Sequence, residues 1–181
     1  MTRLFGTDGI RGRANTPPMT CETALKTGRA AALLALELGQ NQVVIGKDTR
    51  ISGDMLEAAL AAGAASAGVD VGLAGVIPTP GVAFLTSCIK GVGAGIVISA
   101  SHNPFYDNGI KIFQKGGTKL TDEQENTVEA HIRDTHIVPR DEVGKISMIP
   151  DSLDMYAQFL LDRFPFRKLS ARIKLVVDAS N

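Results

Sequence analysis

The chain has 181 residues, of which 44% are hydrophobic, and its 19 lysines and arginines balance 19 aspartates and glutamates. This composition is typical of a globular protein, and the length suffices for one well-buried domain and part of a second. The balanced and scattered charges predict no broad basic surface, so we expect neither nucleic acid nor a membrane as a partner. An anionic ligand of this protein should therefore be small.

Cysteine usage and hydropathy indicate the compartment. Cys21 and Cys88 lie far apart and belong to no CxxC or Cys/His cluster, so the sequence predicts neither a zinc site nor a disulfide framework. No signal peptide and no apolar stretch long enough to span a bilayer are visible. We therefore expect a cytoplasmic protein with two free thiols.

Helices and strands alternate over most of the chain. The patterns predict helices at residues 21–38, 52–67, 79–88 and 121–133, and strands at residues 43–45, 70–73 and 95–98. Residues 110–113 are expected to return as an antiparallel partner strand after an Asn108-Gly109 turn. Alternating strands and helices favour a largely parallel sheet with helices on both faces. The predicted fold class is therefore α/β, a three-layer α/β/α domain with a mixed, mostly parallel sheet.

Residues 151–181 predict the start of a second unit. Residues 1–150 are expected to form the first domain, with a loop over residues 136–148 that closes it. Residues 152–164 carry apolar side chains at helical spacing, and residues 173–177 have the composition of a buried strand. Because no helix that could cover this strand follows before Asn181, we interpret residues 151–181 as a connecting helix and the first strand of a truncated second domain.

A serine-containing stretch follows the apolar run at residues 96–98. Residues 99–105 read Ser-Ala-Ser-His-Asn-Pro-Phe, and Pro104 biases Asn103 toward an extended conformation. α/β proteins bind ligands at the carboxyl ends of their strands. Ser101 is therefore a candidate nucleophile or phosphate carrier, although a serine in this position could also cap a helix or complete a turn.

Three further stretches offer groups suited to a phosphate. Residues 5–12, Phe-Gly-Thr-Asp-Gly-Ile-Arg-Gly, combine glycines with Arg11, whose guanidinium supplies a rigid fork of donors. Residues 46–50 form a charged turn at the end of a strand, and Lys111 lies on the strand that follows the serine stretch. Each stretch taken alone could equally be a tight turn, a solvated charge cluster or an exposed lysine.

The motifs at residues 5–12, 48–50, 99–104 and 107–111 together resemble, in order, those of the α-D-phosphohexomutase family. The resemblance covers essentially the whole chain, but only the first of that family's four domains and the opening strand of the second. It implies the three-layer fold, and it implies transfer of a phosphoryl group between a serine and a hexose phosphate.

The resemblance also implies roles for individual residues. Ser101 would be a phosphoserine that gives its phosphoryl group to the sugar phosphate, forming a 1,6-bisphosphate, and later regains the other phosphate. Arg11 would add positive charge beside this group, and Asn103 would fix the loop. Lys111, and after it His102, would transfer protons or orient the reacting oxygen. Arg11, Asn103 and Lys111 would also contact phosphate.

Mg²⁺ is the cofactor that the resemblance implies. It would bind Ser101 through the phosphate on that residue. Its remaining ligands would come from an acidic loop of the family's second domain, which falls beyond Asn181. Ser101 is therefore the one metal ligand that this chain is expected to supply.

Substrate choice is less strongly indicated. Ser99 stands where many members acting on mannose or glucose phosphates have threonine, which favours interconversion of glucosamine 6-phosphate and glucosamine 1-phosphate, a step toward UDP-N-acetylglucosamine and peptidoglycan. Mannose and glucose phosphates stay open, because the sugar-selecting loop also falls beyond Asn181. A non-catalytic module that binds a phosphorylated ligand or a partner is the alternative from a different class.

The family suggests a homodimer, and the chain alone is expected to be inactive.

Overall fold

A computed structural model describes residues 3–6, 9–134, 141–164 and 174–178. These residues form six strands and five helices. In chain order they are β1 (Ile10–Arg13), α1 (Cys21–Glu37), β2 (Gln42–Lys47), α2 (Ser52–Ala65), β3 (Asp70–Val76), α3 (Thr79–Cys88), β4 (Val92–Ile98), β5 (Asp107–Gln114), α4 (Asp122–Arg133), β6 (Ile146–Met148) and α5 (Ser152–Arg163). None of the described helices is long and apolar enough to span a membrane.

The six strands form one mixed sheet in the order β1-β5-β4-β2-β3-β6. Strand β2 pairs in parallel with β3 and β4, and β6 pairs in parallel with β3. Strand β5 is antiparallel to both of its neighbours, β1 and β4. Helices α1, α2 and α4 contribute to the core on one face, and α3 with α5 to the core on the other. This arrangement confirms the predicted three-layer α/β/α fold with a mixed, mostly parallel sheet.

Side-chain alternation along the strands produces the two cores. Val43 and Ile45 face α1, α2 and α4, whereas Val44 between them faces α3. Both faces of β2 are therefore covered, which explains its continuous apolar run. All residues of β4 are buried as well, so the loop that follows β4 starts from a rigid point at the centre of the sheet.

Local signals place the helix ends where the sequence predicts them. The Thr20 hydroxyl accepts a hydrogen bond from the Thr23 amide at the start of α1, and Gly39 takes a left-handed conformation with φ +68° just after its end. Thr121 and Gln124 form a reciprocal capping box at the start of α4. Helix α5 also begins at the predicted residue, and its Ser152 hydroxyl donates to the Ala74 carbonyl at 2.6 Å.

The Asn108-Gly109 pair is not the hairpin turn that its sequence predicts. Both residues lie inside β5 and pair with β1, which begins within the glycine-rich stretch of residues 5–12 for which a tight turn is the alternative interpretation. The Asn108 side chain is fully buried and donates to the Ser52 hydroxyl at 2.9 Å. Tertiary pairing thus outweighs the local turn preference, and the chain reverses instead through residues 99–106.

The C-terminal region departs from prediction in two places. Residues 146–148, predicted as loop, form the edge strand β6. Residues 174–178 belong to no strand, and Leu175, Val176 and Val177 are 76–85% exposed. A strand needs a neighbour for its backbone hydrogen bonds, and the described strands pair only among themselves.

Parts of the predictions for this region fall on residues that the structure does not describe. Residues 135–140 belong to the predicted closing loop, and residue 173 to the predicted strand. Asn181, beyond which the rest of a second domain is expected, also lies outside the described residues. The interpretation of residues 151–181 as the start of a second domain therefore stays a prediction.

Helix α5 packs onto the face of the sheet that α3 covers. Its Tyr156 and Phe159 rings lie 5.9 and 4.3 Å from the Phe84 ring of α3, measured between centroids. The predicted domain boundary between residues 150 and 151 stays a prediction. The ring contacts of α5 are with α3, which belongs to residues 1–150.

Helices α1 and α2 approach each other through glycine. A Cβ atom added to Gly63 would lie 1.9 Å from the Leu25 carbonyl oxygen, and one added to Gly28 would lie 2.0 Å from the Leu60 carbonyl oxygen. Both contacts involve backbone atoms, which cannot rotate away. The two helices therefore pack at a distance that only glycine permits at these positions.

We expect Gly63→Ala to lower the free energy of unfolding by about 2 kcal/mol, because the added methyl group forces the helices apart in a packed core. Urea denaturation of the 181-residue chain would show this as a lower midpoint with an unchanged slope. Ala62→Ser, at the exposed neighbouring position, serves as the control and should change stability by less than about 0.5 kcal/mol. Equal stability of Gly63→Ala and the unsubstituted chain would contradict the close approach.

Candidate active site

Residues 99–106, here called the serine loop, connect the carboxyl end of β4 to the start of β5. Both ends are fixed, since the Ser99 amide donates to the Gly109 carbonyl at 2.9 Å and the Asp107 amide donates to the Pro104 carbonyl at 3.0 Å. Because β4 and β5 are antiparallel neighbours, the loop begins and ends at the same edge of the sheet. Ser101 thus lies just beyond the end of a buried strand, as the sequence pattern predicts.

Ser101 has a backbone conformation that is uncommon for a residue with a side chain. Its φ is +59°, in the left-handed region, which costs about 1 kcal/mol. The Ser101 amide donates to the Ser99 hydroxyl at 3.0 Å, and this bond helps to hold the conformation. The Ser101 side chain is exposed, and its Oγ lies 3.3 Å from Nδ1 of His102. The loop thus presents the hydroxyl outward beside an imidazole.

Arg50 binds the serine loop from the side of β2. Its Nη1 donates to the carbonyls of Pro104 and Asp107 at 2.5 and 3.1 Å. Its Nη2 donates to the carbonyls of Ser101 and Asn103 at 2.9 and 2.8 Å. Four carbonyl groups of one loop region therefore converge on a single guanidinium.

The Arg50 side chain is itself held by Asp48. Its Nε donates to Asp48 Oδ2 at 3.0 Å, and its backbone amide donates to Asp48 Oδ1 at the same distance. The Arg50 side chain is only 11% exposed. Residues 46–50 are thus not a solvated charge cluster; the turn after β2 is built into the serine loop.

An open pocket of about 960 Å³ lies at this edge of the sheet. Its lining consists of Asp48, Thr49, Arg50, Ile51, Ser101, His102, Asn103 and Phe105. Three of the predicted site residues are therefore together, namely Ser101, His102 and Asn103. The Asn103 amide donates to the Asp107 carboxylate at 3.2 Å, which is consistent with a role in fixing the loop.

Arg11 and Lys111 lie on neighbouring strands. Arg11 on β1 pairs with Gly109, and a Cβ added to Gly109 would lie 3.3 Å from the Arg11 side chain. Lys111 lies two residues further along β5 and lines a smaller cavity, of about 140 Å³, together with Gly9 and Thr79. Ser101 does not line this cavity and Arg11 lines neither pocket, so the two pockets do not bring Arg11 and Lys111 together with the serine loop.

The segment that leads into β1 is anchored by a buried carboxylate. Glu129 on α4 is 5% exposed and accepts hydrogen bonds from the amides of Leu4 and Phe5, each at 2.8 Å. Arg133 neutralises it with a hydrogen bond of 2.5 Å. Residues 7 and 8 of the same motif lie outside the described residues. The contacts of Glu129 position the approach to Arg11 although the two residues are distant in sequence.

Lys47 is a further charged group at the end of β2. It forms ion pairs with Asp54, at 2.6 Å, and with Glu57. Burial acts to lower the pKa of Lys47, but hydrogen bonds and charges of the two carboxylates outweigh burial and raise that pKa. Lys47 is thus a cation at neutral pH and serves to attach α2 to β2 rather than to exchange protons.

Two residues that shape the candidate site, Arg50 and Glu129, could not be recognised from the sequence pattern. Arg50 belongs to the motif at residues 48–50, but the pattern does not show which groups the guanidinium binds. Glu129 lies within an amphipathic helix and carries no local signal that distinguishes it from a surface glutamate. Both act on chain segments more than 50 residues away.

The described residues do not form a Mg²⁺ site of their own. No group of three His, Cys, Asp or Glu side chains suited to a metal occurs among them. Asp48 lines the pocket, but both of its carboxylate oxygens accept hydrogen bonds from Arg50. That Ser101 supplies one metal ligand through its phosphate stays a prediction. The further ligands expected beyond Asn181 also stay a prediction.

We expect Ser99→Ala to speed amide hydrogen exchange at Ser101 about fivefold, because a hydrogen bond of about 1 kcal/mol is lost. Nuclear magnetic resonance of the 181-residue chain would measure this. Ser99→Thr keeps the accepting hydroxyl and is the matched control, with exchange at Ser101 close to the original rate. Unchanged exchange in Ser99→Ala would show that the hydroxyl does not hold the loop.

Comparison with known proteins agrees with this geometry. A model of the phosphoglucomutase/phosphomannomutase α/β/α domain I matches residues 2–137. The phosphoglucosamine mutase of Desulforapulum autotrophicum is 55% identical, covering 100% of this chain and 43% of that protein. The phosphoglucosamine mutase of Protochlamydia amoebophila is 50% identical, covering 99% of this chain and 40% of that protein.

Solved structures give the same result. The crystal structure of a phosphoglucomutase/phosphomannomutase family protein from Burkholderia thailandensis has a TM-score of 0.76 and 29% identity, covering 89% of this chain and 36% of that chain. The chain spans about two fifths of the length of the curated relatives cited above. It belongs to the phosphoglucomutase/phosphomannomutase family and carries that family's α/β/α domain I.

Proposed function

We propose that Ser101 carries a phosphoryl group and that the protein uses it to interconvert glucosamine 6-phosphate and glucosamine 1-phosphate. The observation that carries this proposal is the exposed Ser101 hydroxyl on the wall of an open pocket, on a residue whose backbone is held in the left-handed conformation. A hydroxyl that must repeatedly accept and give up a phosphoryl group needs access to the sugar and a fixed direction. The serine loop supplies both.

The first step breaks the bond between phosphorus and Ser101 Oγ and forms a bond between phosphorus and the free hydroxyl oxygen of the sugar. That hydroxyl loses its proton, for which Lys111 and then His102 are the candidates. His102 Nδ1, at 3.3 Å from Ser101 Oγ, also suits proton exchange with the serine oxygen. The second step is the reverse transfer from the other end of the 1,6-bisphosphate to Ser101.

Arg11 and Asn103 complete the proposed site. Transfer of a phosphoryl group requires positive charge beside it. Arg11 and Lys111 are the two cations proposed for this purpose, and they lie on the same face of the sheet. Asn103 holds the loop through Asp107. Mg²⁺ bound to the phosphoserine would further neutralise the phosphoryl oxygens, with ligands that the described residues do not supply.

The choice of glucosamine rests on the curated relatives. Those cited are named phosphoglucosamine mutase and are 55% and 50% identical to this chain over the aligned residues. The Burkholderia structure bears the broader family description, which keeps mannose and glucose phosphates as the alternative substrates. Two further expectations stay predictions. One is a cytoplasmic location, in which the free Cys21 and Cys88 thiols would persist, and the other is a homodimer.

We expect Ser101→Ala to abolish both phosphorylation and turnover, because no other oxygen takes the place of Oγ. Intact-mass measurement after incubation with a sugar 1,6-bisphosphate would show one phosphoryl group on the natural full-length protein and none on the variant. Formation of glucosamine 1-phosphate would fall by at least about 10⁴-fold, as expected when a covalent nucleophile is removed. Ser87→Ala, at an exposed position on α3, is the control and should retain activity.

Two further results separate the alternatives. A higher kcat/KM for mannose or glucose phosphates than for glucosamine phosphates would assign the protein to the other sugars. Tight binding of a sugar phosphate without phosphorylation of Ser101 or turnover would instead support the non-catalytic module. Full turnover by Ser101→Ala would overturn the proposal.

A further inference from the structure

We infer that Arg50 is a positioning residue for phosphoryl transfer, which fixes the Ser101–His102 peptide through the carbonyl groups of the serine loop. This inference rests on the proposed function and deepens it. Arg50 comes from the turn after β2, whereas Ser101 follows β4, and the two strands are parallel neighbours. The guanidinium therefore reaches the loop from the adjacent strand end.

The hydrogen-bond count excludes a direct role in binding phosphate. An arginine side chain has five N–H donors in a rigid planar arrangement. All five are used in this structure, four by carbonyls of the serine loop and the start of β5, and one by Asp48. Arg50 lines the pocket, but it has no donor left for a ligand, so it acts through the loop.

The bond to the Ser101 carbonyl fixes the direction of the following peptide group. A peptide is planar and trans, so the His102 N–H points away from the carbonyl of Ser101. Because that carbonyl points to Arg50, the His102 N–H points away from the guanidinium. The same bond fixes the carbonyl of the residue that has a φ of +59°. Arg50 therefore sets both the backbone conformation of Ser101 and the orientation of an amide beside its hydroxyl.

Lysine cannot take over this role. Its ammonium group has three donors around one point, whereas the four carbonyls, three of the serine loop and that of Asp107, are reached by two separate nitrogens of a planar group. We therefore expect Arg50→Lys to keep the positive charge and lose the loop geometry. The loss of geometry should affect the transfer step more than the binding of the sugar phosphate.

The test compares Arg50→Lys and Arg50→Ala in the natural full-length protein. We expect kcat to fall about 100-fold in Arg50→Lys with KM for glucosamine 6-phosphate changed by no more than about threefold, because misplacement of a nucleophile slows the chemical step. Methylguanidinium added to Arg50→Ala should recover part of the lost kcat, since it can occupy the vacated space and bind the same carbonyls. It should recover none in Ser101→Ala.

Arg29→Lys is the matched control. The Arg29 guanidinium also donates to a backbone carbonyl, that of Ser66, but between α1 and α2 and away from the serine loop. The kcat of the Arg29→Lys variant should stay within about twofold of that of the unsubstituted protein. If neither Arg50 variant folds, Asp48→Asn tests the positioning role instead. This substitution keeps Arg50 and weakens the hydrogen bonds by which Asp48 holds its side chain. We then expect a kcat about tenfold lower than that of the unsubstituted protein.

The outcomes separate this inference from the proposed function. An unchanged kcat in Arg50→Lys, or a raised KM with unchanged kcat, would overturn the positioning role. If the unsubstituted protein turns over no sugar phosphate, the proposed function fails. Amide exchange at His102 in the 181-residue chain then tests Arg50 alone: faster exchange in Arg50→Lys supports its hold on the loop, and unchanged exchange refutes it.

Discussion

The hydrogen bonds between Arg50 and the serine loop are the interaction on which the candidate site depends. Carbonyl groups in a tight loop cannot join a sheet, and they need donors from elsewhere. The sheet order provides them, because β2 and β4 are adjacent and parallel, and the segments after both strands meet at one edge. A single side chain from one segment then satisfies four carbonyls near the other. The exposed conformation of Ser101 is a consequence of this arrangement.

Much of the architecture follows from signals that act over a few residues. Thr20, Gly39 and Thr121 mark helix ends through hydrogen bonds or backbone conformations within one turn. The apolar run of β4 predicts a strand buried on both faces, and the polar residues after it predict a site. These features were predictable because the competing local structures are much less favourable for the same residues.

The parts that could not be predicted depend on contacts between distant segments. Asn108-Gly109 has a strong local preference for a turn, yet pairing with β1 and the bond to Ser52 place it inside a strand. The edge strand β6 exists because β3 offers it hydrogen-bond partners. The partners of Arg50 and Glu129 lie far along the chain. Sequence motifs show which residue types are present, but only the fold shows which groups they reach.

The fixed ends of the serine loop have a consequence for motion. The loop is joined to β4 and β5 at its two ends and to the turn after β2 along its length. Its hydroxyl therefore has little freedom to travel between two distant targets. A molecule with two reactive ends that must both meet this hydroxyl has to turn around within the pocket. In the proposed reaction, the rigidity of the loop would thus leave the large movement to the sugar bisphosphate, and the pocket would have to be wide enough to allow it.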